Sequence, residues 1–358
     1  HQPEPVGPAV EAGLAREAVA QPADVLFAAV EDHQHAAGLA RGAGGGNIEE
    51  AGLGEQRVGP RLGVGRLVEA VQFTRGFGRR ITGGLAEQAG LHIEWLAPGS
   101  PGGAIDQIKD GSVDLTWGGP MRVMKDHDTC PADGSSLLCF GEVVARDPFF
   151  LMGSQKSFSL KELARLRLSL VSEVPTPWLC LQADLRALGL NIEQLELNGR
   201  LKRGWTMTEQ IHALNTHDID VIQLFEPFVS EILKSGQHHI LYAAHSRGPT
   251  VYTTFICSQD GFTKKRAAFA RLNEVLGSLQ TWLHTHSAQD IAQIVQPYFA
   301  QLELDVLIRA IERYLQNQVW ATTPEVSRAG FDRLADSLHA GGFIQTRILY
   351  DSCVKSFN

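Results

Sequence analysis

From Phe73 onward, short apolar runs alternate with amphipathic helical stretches, and this alternation restricts the fold more than any other feature of the chain. Gly83 to Gly90 reads as a helix running into a glycine stop, and His92 to Leu96 as the strand after it. Pro101 to Lys109 reads as the next helix and Val113 to Trp117 as the next strand, with Gly118, Gly119 and Pro120 turning the chain. Phe149 to Gly153 is a further apolar strand, followed by a helix over Leu160 to Leu166 and a strand over Arg167 to Ser172. Such a rhythm predicts an α/β fold built on a largely parallel sheet with helices on its faces.

The pattern occurs twice. Gln107, Ile108, Val113, Asp114, Leu115 and Pro120 have counterparts in Gln210, Ile211, Ile219, Asp220, Val221 and Pro227. Each copy is a helix, an acidic turn, a short apolar strand and a proline-marked exit, which predicts two similar lobes. In open α/β sheets ligands bind at the carboxyl ends of strands, so the loops after the two strands are the first places to look for a site. The β-rich stretch Val251 to Ser258 precedes helical patterns over Lys264 to His286, Ala288 to Phe299 and Leu304 to Asn317. This order predicts a first lobe over residues 73–153 and 251–358, interrupted by a second over 154–250, with crossings near Phe150 to Ser154 and Tyr252 to Cys257.

Residues 1–72 differ in kind: they contain no lysine and have Phe27 as their only aromatic. Three readings stay open for them: a disordered extension, a poorly packed helical appendage, or a segment whose reading frame or cloning origin differs from the rest. The chain opens without a basic-then-apolar segment, so an export signal is expected to have been removed or to lie outside these residues. No stretch reaches the roughly 20 apolar residues that cross a bilayer. A formal net charge of -8, without a long basic run, gives no reason to expect nucleic acid or an anionic membrane as partner. Cys130, Cys139, Cys180, Cys257 and Cys353 are scattered and read mostly as small core residues. His238 and His239 are adjacent and would point to opposite faces of a strand, and His212 and His217 are one residue too far apart for one helical face, so no metal is assigned.

Three stretches carry a resemblance: AEQAGLHIEWLAPGSPGGAIDQIKDGSVDLTWGGP from Ala86, FSLKELARLRLSLVSEVPTPW from Phe158, and DIDVIQLFEPFVSEIL from Asp218. Together they resemble the NMT1/THI5-like solute-binding proteins, relatives of the nitrate, sulfonate and taurine binding proteins of ABC importers. The resemblance covers roughly Phe73 to Phe343. It implies a type II periplasmic-binding fold of two lobes joined by two crossing strands, which closes over a small solute and is presented to a membrane permease. It further implies a monomer, periplasmic or lipid-anchored outside the cytoplasm, with no cofactor. One branch of the family makes the thiamin pyrimidine with bound pyridoxal phosphate and a cysteine-rich iron motif. Here there is no cysteine-rich run and no GxSxG elbow, so that enzyme, like a ligand-sensing module, is the lesser alternative.

Candidate cleft residues follow from the strand exits. Trp117, Gly118, Gly119 and Pro120 leave the first-lobe strand, the glycines permitting close backbone approach and the tryptophan stacking. Ser172, Glu173, Thr176 and Trp178 surround a helix start, where exposed N–H groups favour an acceptor or anion. Phe225 and Glu226 leave the second-lobe strand, and Glu226 could meet a ligand nitrogen through a charge-assisted hydrogen bond. Glu142 and Glu173 add acidic character, so the expected solute is nitrogenous, cationic or heteroaromatic. Tyr252 and Thr253 lie on the presumed return crossing.

Overall fold

A computed structural model describes residues 62–68, 83–96, 104–130, 137–172 and 174–357. The alternation seen in the sequence resolves into two five-stranded sheets. The first contains β1 (Leu62–Val68), β2 (Leu91–Leu96), β3 (Leu115–Gly118), β4 (Leu137–Val144) and β10 (Thr253–Ser258), in the order β2-β1-β3-β10-β4. The second contains β5 (Phe150–Gly153), β6 (Leu168–Ser169), β7 (Leu201–Lys202), β8 (Val221–Leu224) and β9 (His239–Ala243), in the order β7-β6-β8-β5-β9. In both sheets the first three strands are parallel and the fourth pairs antiparallel with its two neighbours.

The duplicated pattern maps onto this shared topology. Its first copy is α2 (Ala104–Lys109), β3 and α3 (Met121–Thr129), and its second is α6 (Met207–Asn215), β8 and α7 (Phe228–Leu233). The acidic residue of each copy has a fixed structural task. Asp114 lies 2.7 Å from Lys265 and Asp220 lies 2.8 Å from Arg167, each tying the strand start to a neighbouring segment. The proline of each copy, Pro120 or Pro227, stands just before the next helix.

Two expectations need correction. β1 lies ahead of residue 73 yet pairs in parallel with both β2 and β3, so the first lobe includes residues that the sequence reading gave to an extension. Its segment, LGVGRLV, carries two glycines and shifts register between Gly63 and Arg66, which blurs the alternation that marks a strand. The crossings also move. The chain passes between sheets at residues 145–149 and 244–252, and Phe150 already belongs to the second sheet while Thr253 belongs to the first. Backbone N–H groups of Thr250 and Tyr252 donate to Ala145 and Val144, 2.8 Å each, holding the two passes side by side.

The C-terminal helices do not simply return to the first lobe. The long helix α9 (Arg266–Thr285) buries Phe269, Leu272 and Leu276 against the first sheet. After α9, α10 (Ala288–Val295) and α11 (Leu304–Gln316) pack into the core of the second lobe beside Phe225, Phe228 and Val229. The chain then comes back along the first crossing: Ala145 N–H donates to Val319 O at 2.8 Å, and Ala321 N–H donates to Val143 O at 3.0 Å. α12 (Arg328–Ala340) finally packs against both α3 and α4 (Thr176–Ala187), one from each lobe.

Candidate functional site

The cleft is defined by what the two lobes aim at one another. After β3 the chain turns through Gly119 and Pro120 into α3, and after β6 it runs through residues 170–175 into α4. Neither helix has a side-chain cap. Within these first turns the Arg122 N–H already donates to Gly119 O at 3.1 Å and Pro177 has no N–H, while the macrodipole places partial positive charge at both starts. Thr176 Oγ1 lies 2.8 Å from Met121 Sδ, so the first turn of α3 in one lobe touches the first turn of α4 in the other. The two helix starts, neither with a side-chain cap, thus meet across the lobes.

The second crossing backs this meeting point. A Cβ added at Gly119 would sit 3.6 Å from the Tyr252 carbonyl oxygen, so the turn before α3 rests on the crossing strand. Tyr252 is 9% exposed and its ring leans on Phe149 of the first crossing, with centroids 6.0 Å apart. Its hydroxyl is buried and has no hydrogen-bond partner among the described residues. Burial pushes the phenol well above its ordinary value, so it stays a neutral donor. Leaving such a hydroxyl unmatched costs about 1–3 kcal/mol, which marks it as a group awaiting a partner.

On the second lobe, Ser172 Oγ accepts the Gly204 N–H at 2.6 Å, drawing the loop after β7 beside the segment before α4. This brings in Trp205, half-buried against the same core as Phe149 and Tyr252. Sequence reasoning passed over Trp205. The signal available was the capping box that follows it, Thr206 with Glu209, which fixes where the loop ends and so leaves the tryptophan on the loop. Thr253 opens β10 half-buried beside Val144, adjacent to Tyr252. Glu173 lies outside the described residues.

Five predicted cleft residues belong elsewhere. Trp117 is 6% exposed and stacks on Phe255, centroids 5.9 Å apart at 16°, inside the first lobe's core. Trp178 turns its indole N–H to Glu196 at 3.0 Å under the Arg203 guanidinium, because its position on α4 faces α5 (Ile192–Leu197). Phe225 packs edge-on to Phe149 and Phe228 in the core. Glu226 is fully buried: Arg313 of α11 donates to its carboxylate, as do Ser230 N–H at 2.9 Å and Ser230 Oγ–H at 3.1 Å. Both its carboxylate oxygens already accept hydrogen bonds and the side chain is wholly buried, so it stands apart from any solute.

Glu142 is the fifth. It lies on β4 with one carboxylate oxygen accepting Ser327 N–H at 3.0 Å, at the start of α12. It is 3% exposed, and burial pushes its carboxyl up to about 7, opposed by that single backbone donor. The unfolded chain holds the same group near 4.5. Stability from the protonated form is thus present below about 4.5 and lost as pH rises through about 7. Glu142→Gln is expected to remove a fall of about 2–3 kcal/mol across that window, read by urea unfolding at several pH values. A variant whose pH profile matches the parent would show that another group carries it.

No family model matches the chain. It is 27% identical over 137 residues to a Bacillus subtilis (strain 168) protein named as a binding protein, YtlA, and that match takes in 38% of this chain and 41% of the relative. The chain thus matches about two fifths of the length of that curated relative. Among solved structures it is similar to the alkanesulfonate-binding protein SsuA of Xanthomonas axonopodis pv. citri bound to MOPS, with TM-score 0.56, 17% identity, and 83% of this chain and 99% of that one covered. It is also similar to the ligand-binding component of an ABC-type import system of Staphylococcus aureus, with TM-score 0.59, 14% identity, and coverage of 82% and 96%. The desulfurization enzyme DszB has TM-score 0.54 at 14% identity, with coverage of 80% and 94%. With two topologically matched sheets, paired crossings and helix starts of the two lobes that touch through Thr176 and Met121, the chain has the fold of the type II periplasmic binding proteins.

Proposed function

We propose that this chain is the solute-binding component of an ABC-type importer and that its cleft holds a small, flat, acceptor-rich or anionic solute. The observation that carries this reading is the meeting of two uncapped helix starts, marked by the contact from Thr176 to Met121. The positive dipole ends of the two helices favour an anionic or acceptor group between them. Tyr252 adds a neutral donor at the back, and Trp205 adds a flat apolar surface. The carboxylates that suggested a cationic solute, Glu142 and Glu226, are engaged within the protein, so the nitrogenous reading keeps only its heteroaromatic part. The likeness to solute-binding structures supports the reading. An enzyme such as DszB shares the fold, and nothing in the cleft favours its chemistry over binding.

Closure would proceed by contacts made only when the lobes meet, so ligand and lobes stabilise the closed state together. A membrane permease as partner and a place outside the cytoplasm belong to the same proposal. Among the described residues no helix is long and apolar enough to cross a membrane.

Calorimetric titration of the full chain against alkanesulfonates, nitrate, aromatic carboxylates and small amines tests this. One anionic class is expected to bind saturably. A hydrogen bond to a charged group contributes about 1.5–3 kcal/mol, so Tyr252→Phe should weaken affinity roughly 10- to 100-fold. Saturable binding of amines alone, or affinities indifferent to both Tyr252→Phe and Thr176→Val, would overturn the reading.

A further inference from the structure

At the end of the second lobe away from the crossings, where β5 and β9 leave their shared ladder, three side chains stand in line. Gly153 pairs with His239 in antiparallel register, so the next cross-strand neighbours are Ser154 and His238. Ser154 Oγ lies 3.1 Å from His238 Nδ1, and His238 Nε2 lies 2.7 Å from Asn215 Oδ1 at the last turn of α6. An amide oxygen only accepts, so with Asn215 Oδ1 facing it Nε2 carries the ring proton, and Nδ1 presents its lone pair to the Ser154 hydroxyl. His238 is 3% exposed, whereas Ser154 and Asn215 reach solvent. Burial, with His239 and His217 nearby, holds the imidazole below its ordinary value and hence neutral at neutral pH.

A nucleophile within reach of a base, and a base oriented by a third group, are the core of an acyl-transfer site.

We propose that Ser154 is a nucleophile that accepts acyl groups from small carboxylic esters, with His238 as its general base and Asn215 as the positioning residue. Ser154 Oγ bonds to the ester carbonyl carbon, and the bond from that carbon to the alkoxy oxygen breaks. His238 Nδ1 takes the hydroxyl proton and passes it to the departing alkoxide, which leaves as the alcohol. Water then attacks the acyl-serine with the help of the same base, releasing the carboxylic acid and restoring the hydroxyl. The steps need no oxidant or reductant. The site lies on one lobe only and does not depend on the cleft or on what the cleft binds.

The test incubates the full chain with p-nitrophenyl acetate and follows p-nitrophenolate release beside intact-mass and peptide mapping. The expected result is an acetyl group on Ser154, absent in Ser154→Ala, with acylation slowed at least about 100-fold in His238→Gln. Asn215→Leu should slow acylation with an unchanged thermal midpoint, and Asn215→Asp, which keeps an acceptor oxygen, should restore it. Ser154 is exposed, so Ser154→Ala reports even where a histidine variant fails to fold. Acetylation confined to lysines, or equal release by Ser154→Ala and the parent chain, overturns the proposal.

Discussion

Replacing Arg313 by methionine is expected to destabilise the folded chain by about 3–5 kcal/mol, the usual cost of leaving a buried charge without its partner. Arg313 reaches from α11 to Glu226 at the exit of β8, and it also lies 2.8 Å from Ser230 Oγ. The two partners are not equivalent. Arg313 is one-fifth exposed and could turn to solvent, whereas Glu226 is wholly buried and cannot. With the guanidinium gone, only the two Ser230 donors oppose burial, and the Glu226 carboxyl rises further above the ordinary carboxylate range. A raised folded-state value means stability is retained at acid pH and lost as pH rises, so the variant should be most impaired in alkaline solution. Urea unfolding of Arg313→Met at acid and alkaline pH checks the sign. Adding Glu226→Gln to the same chain should recover most of the loss and flatten the pH profile, because the neutral amide needs no counter-charge. A double variant as unstable as the single one would mean that the packing of the arginine stem, not its charge, holds α11 in place.

A loss of similar size, about 3–5 kcal/mol, is expected for Arg247→Met, with a different consequence. Arg247 lies on the second crossing and is 7% exposed. It pairs with Asp147 on the first crossing and with Asp184 on α4, while the Tyr242 hydroxyl donates to Asp184 at 2.8 Å. Asp147 has no exposure at all, and its other oxygen accepts the Phe149 N–H at 3.0 Å. One guanidinium therefore binds both passes of the chain to the second lobe. Its removal should loosen the crossings before the rest of the fold, so hydrogen exchange at Thr250 and Tyr252 should accelerate more than at Phe269 or Leu272 in α9. Uniform acceleration across all four amides would show instead that the network stabilises the molecule globally and has no special hold on the crossings.

How much of this was legible depends on how local the signal is. β2, β3, β5 and β10 were readable because each is a short apolar run bounded by turn residues, and the duplicated unit was readable because both copies keep the same order of helix, acid, strand and proline. β4 was not, since LLCFGEVV is buried along nearly all its length and shows no alternation, and Gly141 within it adopts φ 63°. The 3-10 turn Leu160–Ala164 was read as a longer helix, and β6 shrank to two residues because the rest of that run pairs only by isolated backbone bonds. Site residues were harder. Ser172 and Thr176 stand at the start of α4 and Tyr252 on the second crossing, positions that topology sets. Glu226 and Trp178 stand at equally suggestive strand exits and helix starts, but their partners decide the matter. Arg313 is 87 residues beyond Glu226, and no local pattern announces that pairing.

The helical pair α10 and α11 has a consequence for how the chain comes to be folded. The second sheet is written as one contiguous stretch, residues 150–243, and looks self-sufficient. Its core is not: Phe225, Phe228 and Val229 are buried with Ile291, Val295, Leu307, Ile311 and Tyr314, which are synthesised later. During synthesis this lobe therefore emerges with one apolar face uncovered and waits for the C-terminal third of the chain. Long-range closure of this kind slows folding and prolongs exposure of sticky surface. A nascent or truncated chain ending near Ser258 would present that face to chaperones or to other copies of itself, so the vulnerable interval of this protein's life falls before α11 arrives.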